Sequence, residues 1–286
     1  MSGALGVLAI HGIGTPKPGF AKPMMEKIAD RLGARASRVV WRPIFWSGAL
    51  NKEETEFDQA MKSAADPSGD HIPLRWACVR KFVVHNLGDA IAYQREREPA
   101  AYVCINRIVS DVIGDLKAAL NDPSAPIVVL AHSLGGHVMS SYIWDRQAHH
   151  RKGEHDEYER LSTLAGMVTF GCNIPLFTLA LSAAVPIDLP GPDVKKPALV
   201  AASRWLNFLD ADDVLGWPLR PLYAKDASKF TPAQKLTLSK IEDFEINAGN
   251  IFESWNPASH DGYWTDRDFL TPAAAFLGTV LDAIDA

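Results

Sequence analysis

The sequence predicts an α/β fold in which a central sheet is layered with helices, and three observations carry that expectation. First, Ile127-Val128-Val129-Leu130-Ala131-His132 is an apolar run of strand length that passes directly into Ser133-Leu134-Gly135-Gly136. A strand buried on both faces reads this way, and small residues after it allow a sharp turn into a helix. Second, Leu5-Gly6-Val7-Leu8-Ala9-Ile10 is another such run, leading into His11-Gly12-Ile13-Gly14-Thr15-Pro16. Third, Val103, Ile105, Ile108, Val109, Val112, Ile113, Leu116 and Leu120 recur at helical spacing between Tyr102 and Leu120, and Asn121-Asp122-Pro123 stops that helix before the strand at 127.

The remaining elements follow in order. Val39-Val40-Trp41 reads as a strand, and the region 42–100 after it is an irregular insertion. Within that region Glu53 to Asp70 is polar and ends in the turn sequence Asp66-Pro67-Ser68-Gly69-Asp70, while Trp76 to Tyr93 has the composition of one or two helices. Val138 to Arg146 continues the helix that follows Ser133, Met167-Val168-Thr169-Phe170-Gly171 supplies the next strand, and Arg204-Trp205-Leu206-Asn207-Phe208-Leu209 another.

Between Leu161 and Ile187 no residue is charged, which is long enough to cross a bilayer as a helix. Asn173 and Pro175 interrupt such a helix, so a strand followed by an apolar cap is preferred. The segment 172–200 is accordingly either plain core or a lid over a site, with Phe177 the candidate substrate contact.

Composition bounds the rest. A chain of 286 residues that is 47% hydrophobic buries roughly three quarters of its unfolded surface, so residues 1–286 are expected to form one domain. The net charge of -5 and the lack of any Lys/Arg block give no reason to expect nucleic acid or a polybasic membrane anchor. Three cysteines, Cys78, Cys104 and Cys172, leave one unpaired in any scheme, which suits a reducing compartment. No positively charged segment precedes the first apolar run, so the expected location is the cytoplasm. The run His149-His150-Arg151-Lys152-Gly153-Glu154-His155-Asp156-Glu157 lacks metal-ligand spacing and reads as a solvated connection.

The chemistry-bearing residues fall in a meaningful order. A serine on a tight strand-to-helix turn is held in strained geometry, and Ala131 and Gly135 on either side are small enough to permit it. Glycines near His11 let backbone N–H groups face a cavity, so the N–H groups of Ile13 and Leu134 are candidates for an oxyanion hole. A phosphate-binding loop is the competing reading of those glycines, but the Lys-Ser/Thr ending of a P-loop is missing. Downstream, the strand ending at Leu209 runs into Asp210-Ala211-Asp212-Asp213-Val214, and Asn256-Pro257-Ala258-Ser259-His260-Asp261-Gly262-Tyr263-Trp264 places a histidine in a turn-rich segment. Ser133, a loop aspartate and His260 are then nucleophile, orienting acid and general base. His11, His132 and His137 are read as structural.

With those residues in place, the chain resembles the α/β-hydrolase fold serine hydrolases of the lipase and esterase kind. The resemblance is carried by His11-Gly12-Ile13-Gly14, by Ala131-His132-Ser133-Leu134-Gly135-Gly136, by Asp212-Asp213-Val214 and by Ser259-His260-Asp261-Gly262-Tyr263-Trp264, in the order Ser, Asp, His. Alanine at 131 departs from the usual glycine. The resemblance implies a mostly parallel central sheet with helices on both faces, and no metal or other cofactor. It favours Asp212 as the acid, since an acid shortly before an aliphatic residue matches the family's post-strand turn; Asp210 is the main competitor and Asp213 ranks third. The implied activity is cleavage of a carboxylic ester, with a lipid or other hydrophobic acyl chain favoured. Thioesterase or amidase chemistry on the same scaffold, and a non-catalytic ligand-binding or membrane-surface module, are the alternatives.

Overall fold

Six parallel strands form the centre of the molecule in a computed structural model that describes residues 3–12, 16–47, 59–60, 63, 65, 67–70, 99–149, 158–179, 183–248, 260 and 262–286. They are β1 (Leu5–Ile10), β2 (Val39–Ile44), β3 (Ile127–His132), β4 (Leu164–Phe170), β5 (Arg204–Leu209) and β6 (Ile241–Glu245). Their order across the sheet is β2-β1-β3-β4-β5-β6, and every pairing is parallel. The three central strands β1, β3 and β4 are buried along their whole length, which is why they read as unbroken apolar runs. The edge strands differ. β2 carries Pro43, tolerated where one side of the ladder is unpaired, and β6 is the polar Ile241-Glu242-Asp243-Phe244-Glu245.

Parallel strands need crossovers, and helices supply them. The helices bounded within the described residues are α1 (Lys22–Leu32), α2 (Pro99–Leu120), α3 (Leu134–Trp144), α4 (Ile174–Thr178), α5 (Pro197–Ala202), α6 (Arg220–Ala224), α7 (Pro232–Lys240) and α8 (Arg267–Asp285). Side chains alternate along β1: Leu8 and Ile10 join one core with Ile105, Val109, Ile113 and Leu116 of α2 and Val138, Met139 and Tyr142 of α3. Leu5, Val7 and Ala9 join the opposite core with Met24, Ile28 and Leu32 of α1 and Phe269, Leu270, Leu277 and Leu281 of α8. In α1, α2 and α8 these residues recur at three- and four-residue spacing, one apolar stripe facing the sheet. This is an α/β fold with a parallel sheet covered by helices on both faces.

Several expectations shift at their edges. The helix anticipated from Tyr102 begins at Pro99, the α-helix after Ser133, anticipated to Arg146, ends at Trp144, and the strand anticipated at Met167 starts at Leu164. The uncharged stretch after Leu161 is β4 followed by the short α4, and no described helix is long and apolar enough to cross a membrane. In the 42–100 region, β2 reaches Ile44 and Trp46 is buried. The helices anticipated between Trp76 and Tyr93, and residues 150–157 of the His/acid run, lie outside the described residues.

Candidate active site

At the end of β3 the chain turns at Ser133, whose φ of 50° and ψ of -125° lie in a region that side-chain-bearing residues rarely occupy. Such strain persists only where the surroundings over-determine it. Here the Ser133 N–H donates to the Phe170 carbonyl at 3.0 Å, and the Gly136 N–H donates to the Ser133 carbonyl at 2.9 Å. The glycines are steric requirements. A Cβ on Gly135 would sit 2.5 Å from the His11 carbonyl oxygen, and one on Gly12 would sit 2.5 Å from the Ser133 Cβ. The glycine-bearing loop after β1 is therefore pressed against the turn after β3. The chain leaves β1 toward β2 on one side and returns to β3 on the other, so both loops meet where the strand order reverses, the usual ligand crevice of an open α/β sheet.

Ser133 Oγ lies 2.6 Å from His260 Nε2, and His260 Nδ1 lies 3.0 Å and 2.9 Å from the two carboxylate oxygens of Asp213. All three residues are buried. A carboxylate only accepts, so the Nδ1 proton points at Asp213 and Nε2 is left to accept from the Ser133 hydroxyl. Asp213 also accepts from the Leu215 N–H at 3.0 Å and from the Tyr263 hydroxyl at 2.9 Å. Burial alone would raise its pKa, but the hydrogen bond and charge of His260, with the donors at Leu215 and Tyr263, outweigh it and hold the carboxyl below the usual range.

The favoured acid, Asp212, requires correction. Its side chain is exposed, and its N–H donates to Asp210 Oδ1 at 2.7 Å. Asp210 is buried but faces elsewhere, its Oδ2 accepting the Ala248 N–H at 2.5 Å. A turn closed by the Asp213 N–H on the Asp210 carbonyl at 3.1 Å brings Asp213 back beneath the strand ends. Three aspartates within four positions thus take three environments, and only Asp213 meets His260.

The other histidines brace the loops. His11 Nδ1 donates to the Gly12 carbonyl at 2.7 Å, Nε2 accepts the Trp46 N–H at 3.1 Å, and the ring stacks on Trp46 with centroids 5.0 Å apart. Its pKa is lowered to about 4 by burial, partly opposed by the bond to Gly12. His132 Nε2 donates to the His260 carbonyl at 2.6 Å, and burial, with the neighbouring His260, lowers its pKa to about 3. His137 is likewise lowered to about 3 by burial, and Phe177 lies flat on it with centroids 4.1 Å apart. Phe177 is thus partly buried against α3. Of the two candidate oxyanion donors, Leu134 is the first residue of α3, where an N–H has no partner within the helix; Ile13 lies outside the described residues.

Tyr263 lies within the histidine segment, and nothing in its spacing says that its hydroxyl reaches Asp213. Among the described residues no group of three or more His, Cys, Asp or Glu side chains is placed to hold a metal ion.

No family model matches the chain, and no curated protein matches it. Among solved structures the chain is similar to a novel cutinase-like protein from Cryptococcus sp., with a TM-score of 0.43 and 11% identity over 97% of this chain and 95% of that one.

Proposed function

We propose that the protein is a serine hydrolase that cleaves a carboxylic ester through an acyl-enzyme. The observation that carries this reading is the buried chain of contacts from Ser133 Oγ to His260 Nε2 at 2.6 Å and from His260 Nδ1 to Asp213 at 2.9 Å. Ser133 attacks the acyl carbonyl as His260 takes its proton, and Asp213 holds the imidazole in the required tautomer and stabilises the imidazolium. The N–H groups of Leu134 and Ile13 stabilise the oxyanion. His260 then protonates the departing alkoxide, and water, deprotonated by His260, releases the acid and restores Ser133. In this reading no metal or other cofactor takes part.

A hydrophobic acyl chain is the favoured substrate part. Leu179 is 82% exposed just beyond α4 and Val214 is 76% exposed in the loop after β5, with Leu176 and Trp217 also exposed. The two segments leave adjacent strands at their carboxyl ends and are joined by the Trp217 N–H to the Cys172 carbonyl at 3.0 Å. Apolar side chains left in water around a polar site favour an apolar ligand. Phe177 would form part of the acyl wall, with residues 172–179 as its cap; the rest of the segment anticipated as a cap, 172–200, runs to the amino end of β4, where the Gly191 and Asp193 N–H groups donate to the Leu164 and Ser162 carbonyls at 2.8 Å, and into the crossover helix α5.

The test is labelling with a fluorophosphonate probe, mapping of the adduct, and turnover of p-nitrophenyl esters, thioesters and anilides of increasing acyl length. A Ser133 adduct that is absent in Ser133→Ala, with turnover falling to the roughly 10³- to 10⁴-fold residue over water that binding and the oxyanion hole sustain, is expected. Equal turnover by both proteins would refute the mechanism.

A further inference from the structure

The proton of the Tyr263 hydroxyl has a direction dictated by the backbone. Its oxygen accepts the Asp210 N–H at 2.9 Å, and an N–H can only donate. The single hydroxyl proton is therefore directed at Asp213 Oδ2, also 2.9 Å away. Both side chains are buried, so water does not compete with this bond. The packing around it is equally specific. Gly171 has φ +57°, and a Cβ there would lie 3.1 Å from each of Asp213 Oδ2, His260 Cε1 and Tyr263 Cε2. Acid, base and phenol ring thus converge on a spot that glycine leaves open.

We propose that Tyr263 is a positioning residue of the relay: held by the Asp210 N–H, its hydroxyl fixes the Asp213 carboxylate and limits the negative charge that carboxylate presents to His260. The proposal rests on the serine-hydrolase reading. An O–H donor draws charge from a carboxylate. Without it the carboxylate is a stronger partner for the imidazolium, but it has lost one of the contacts that aim it. The other titratable groups near this carboxylate among the described residues are His260 itself, His132, whose ring centroid is 6.1 Å from that of Tyr263, and Asp210. Burial and the neighbouring Asp213 push the Tyr263 phenol pKa up, so it stays a donor.

The experiment compares wild type, Ser133→Ala, Tyr263→Phe, and protein with 3-fluorotyrosine or 3,5-difluorotyrosine placed at 263. Each is assayed on a short p-nitrophenyl ester across pH. In Tyr263→Phe, kcat should fall roughly tenfold, the scale of one hydrogen bond to a charged group, with KM unchanged and the acid limb of kcat/KM moved to higher pH. The fluorinated residues are stronger donors and should move that limb to lower pH while keeping most of kcat, and they decide the matter if Tyr263→Phe does not fold. Wild-type turnover with a limb that moves in no variant, or a rise in KM alone, overturns the proposal and leaves the hydrolase reading intact. Absence of Ser133-dependent turnover in wild type overturns both.

Discussion

The two ends of the sheet treat titratable groups in opposite ways. At the amino ends of the strands they form ion pairs in water: Arg38 with Asp285 at 2.7 Å, Arg35 with Asp282 at 3.1 Å and Arg204 with Glu242 at 2.9 Å, with at least one partner of each pair open to solvent. At the carboxyl ends Ser133, His11, His132, His260, Asp210 and Asp213 are all buried, and directed hydrogen bonds replace the lost water. Positive φ occurs at both ends, at Ser133 (φ 50°) and Gly171 (φ 57°) after strands and at Asn121 (φ 50°) and Leu161 (φ 50°) before them, but only at the carboxyl end does it adjoin the buried titratable cluster. Exposed pairs contribute little and can be exchanged. Buried polar clusters cost desolvation and demand exact partners, so they are retained where chemistry needs them. The comparison makes the carboxyl end the sensitive one, for activity and for stability alike.

The largest expected effect is on the acid. Asp213→Asn should lower kcat by about 10⁴-fold, because an amide no longer selects the Nδ1–H tautomer, whereas Asp212→Asn should stay within about twofold since surface changes rarely matter. Steady-state kinetics of the pair decide this, and a larger loss in Asp212→Asn would reverse the assignment.

Next comes acid sensitivity. His11, His132 and His137 have folded pKa values of about 4, about 3 and about 3, below the ordinary 6.5. An unfolded chain binds protons below the ordinary value while the folded one does not, so the stability these groups contribute is complete above pH 6.5 and is lost as pH falls toward 4 and 3. Each should cost about 2 kcal/mol by pH ~5, a total of several kcal/mol against a typical net stability of about 5–15. Asp213, held low, adds a loss only below the ordinary carboxylate range. Urea unfolding at pH ~7.5 and pH ~5 measures the difference; equal midpoints would contradict it.

Gly135→Ala should destabilise by about 1–3 kcal/mol through overpacking, since its Cβ would meet the His11 carbonyl at 2.5 Å, and it should lower fluorophosphonate labelling as well. The smallest effect belongs to the other end of the sheet. Arg38→Ala should lower stability by about 1 kcal/mol or less with kcat unchanged, as thermal unfolding and an ester assay would show.

How far the sequence could be read tracks the same physics. β1, β3 and β4 are legible because burial on both faces leaves no polar residue in their interiors apart from Thr169, which hydrogen-bonds Asn207 at 2.7 Å. β6 is not, because an edge strand with Glu242, Asp243 and Glu245 has the composition of a loop. Asp243 in turn accepts from Asn207 Nδ2 at 2.7 Å and from the Leu219 N–H at 2.8 Å, contacts that only its place in the sheet creates.

By itself the sequence determined the α/β layering, the sharp turn at Ser133 with its small neighbours, the pairing of that turn with a glycine-bearing loop, and the chain order of serine, aspartate and histidine. These depend on periodicity and on size, which are written residue by residue. Only the tertiary structure decided among Asp210, Asp212 and Asp213, placed the Tyr263 hydroxyl on the chosen carboxylate, and turned His132 into a brace for the His260 backbone. The three aspartates are the same chemical group within four positions, and the direction each takes depends on the turn closed at 210–213 and on what packs against it. That information lies in contacts between residues some fifty positions apart or more, such as Asp213 with Tyr263 and Ser133 with His260.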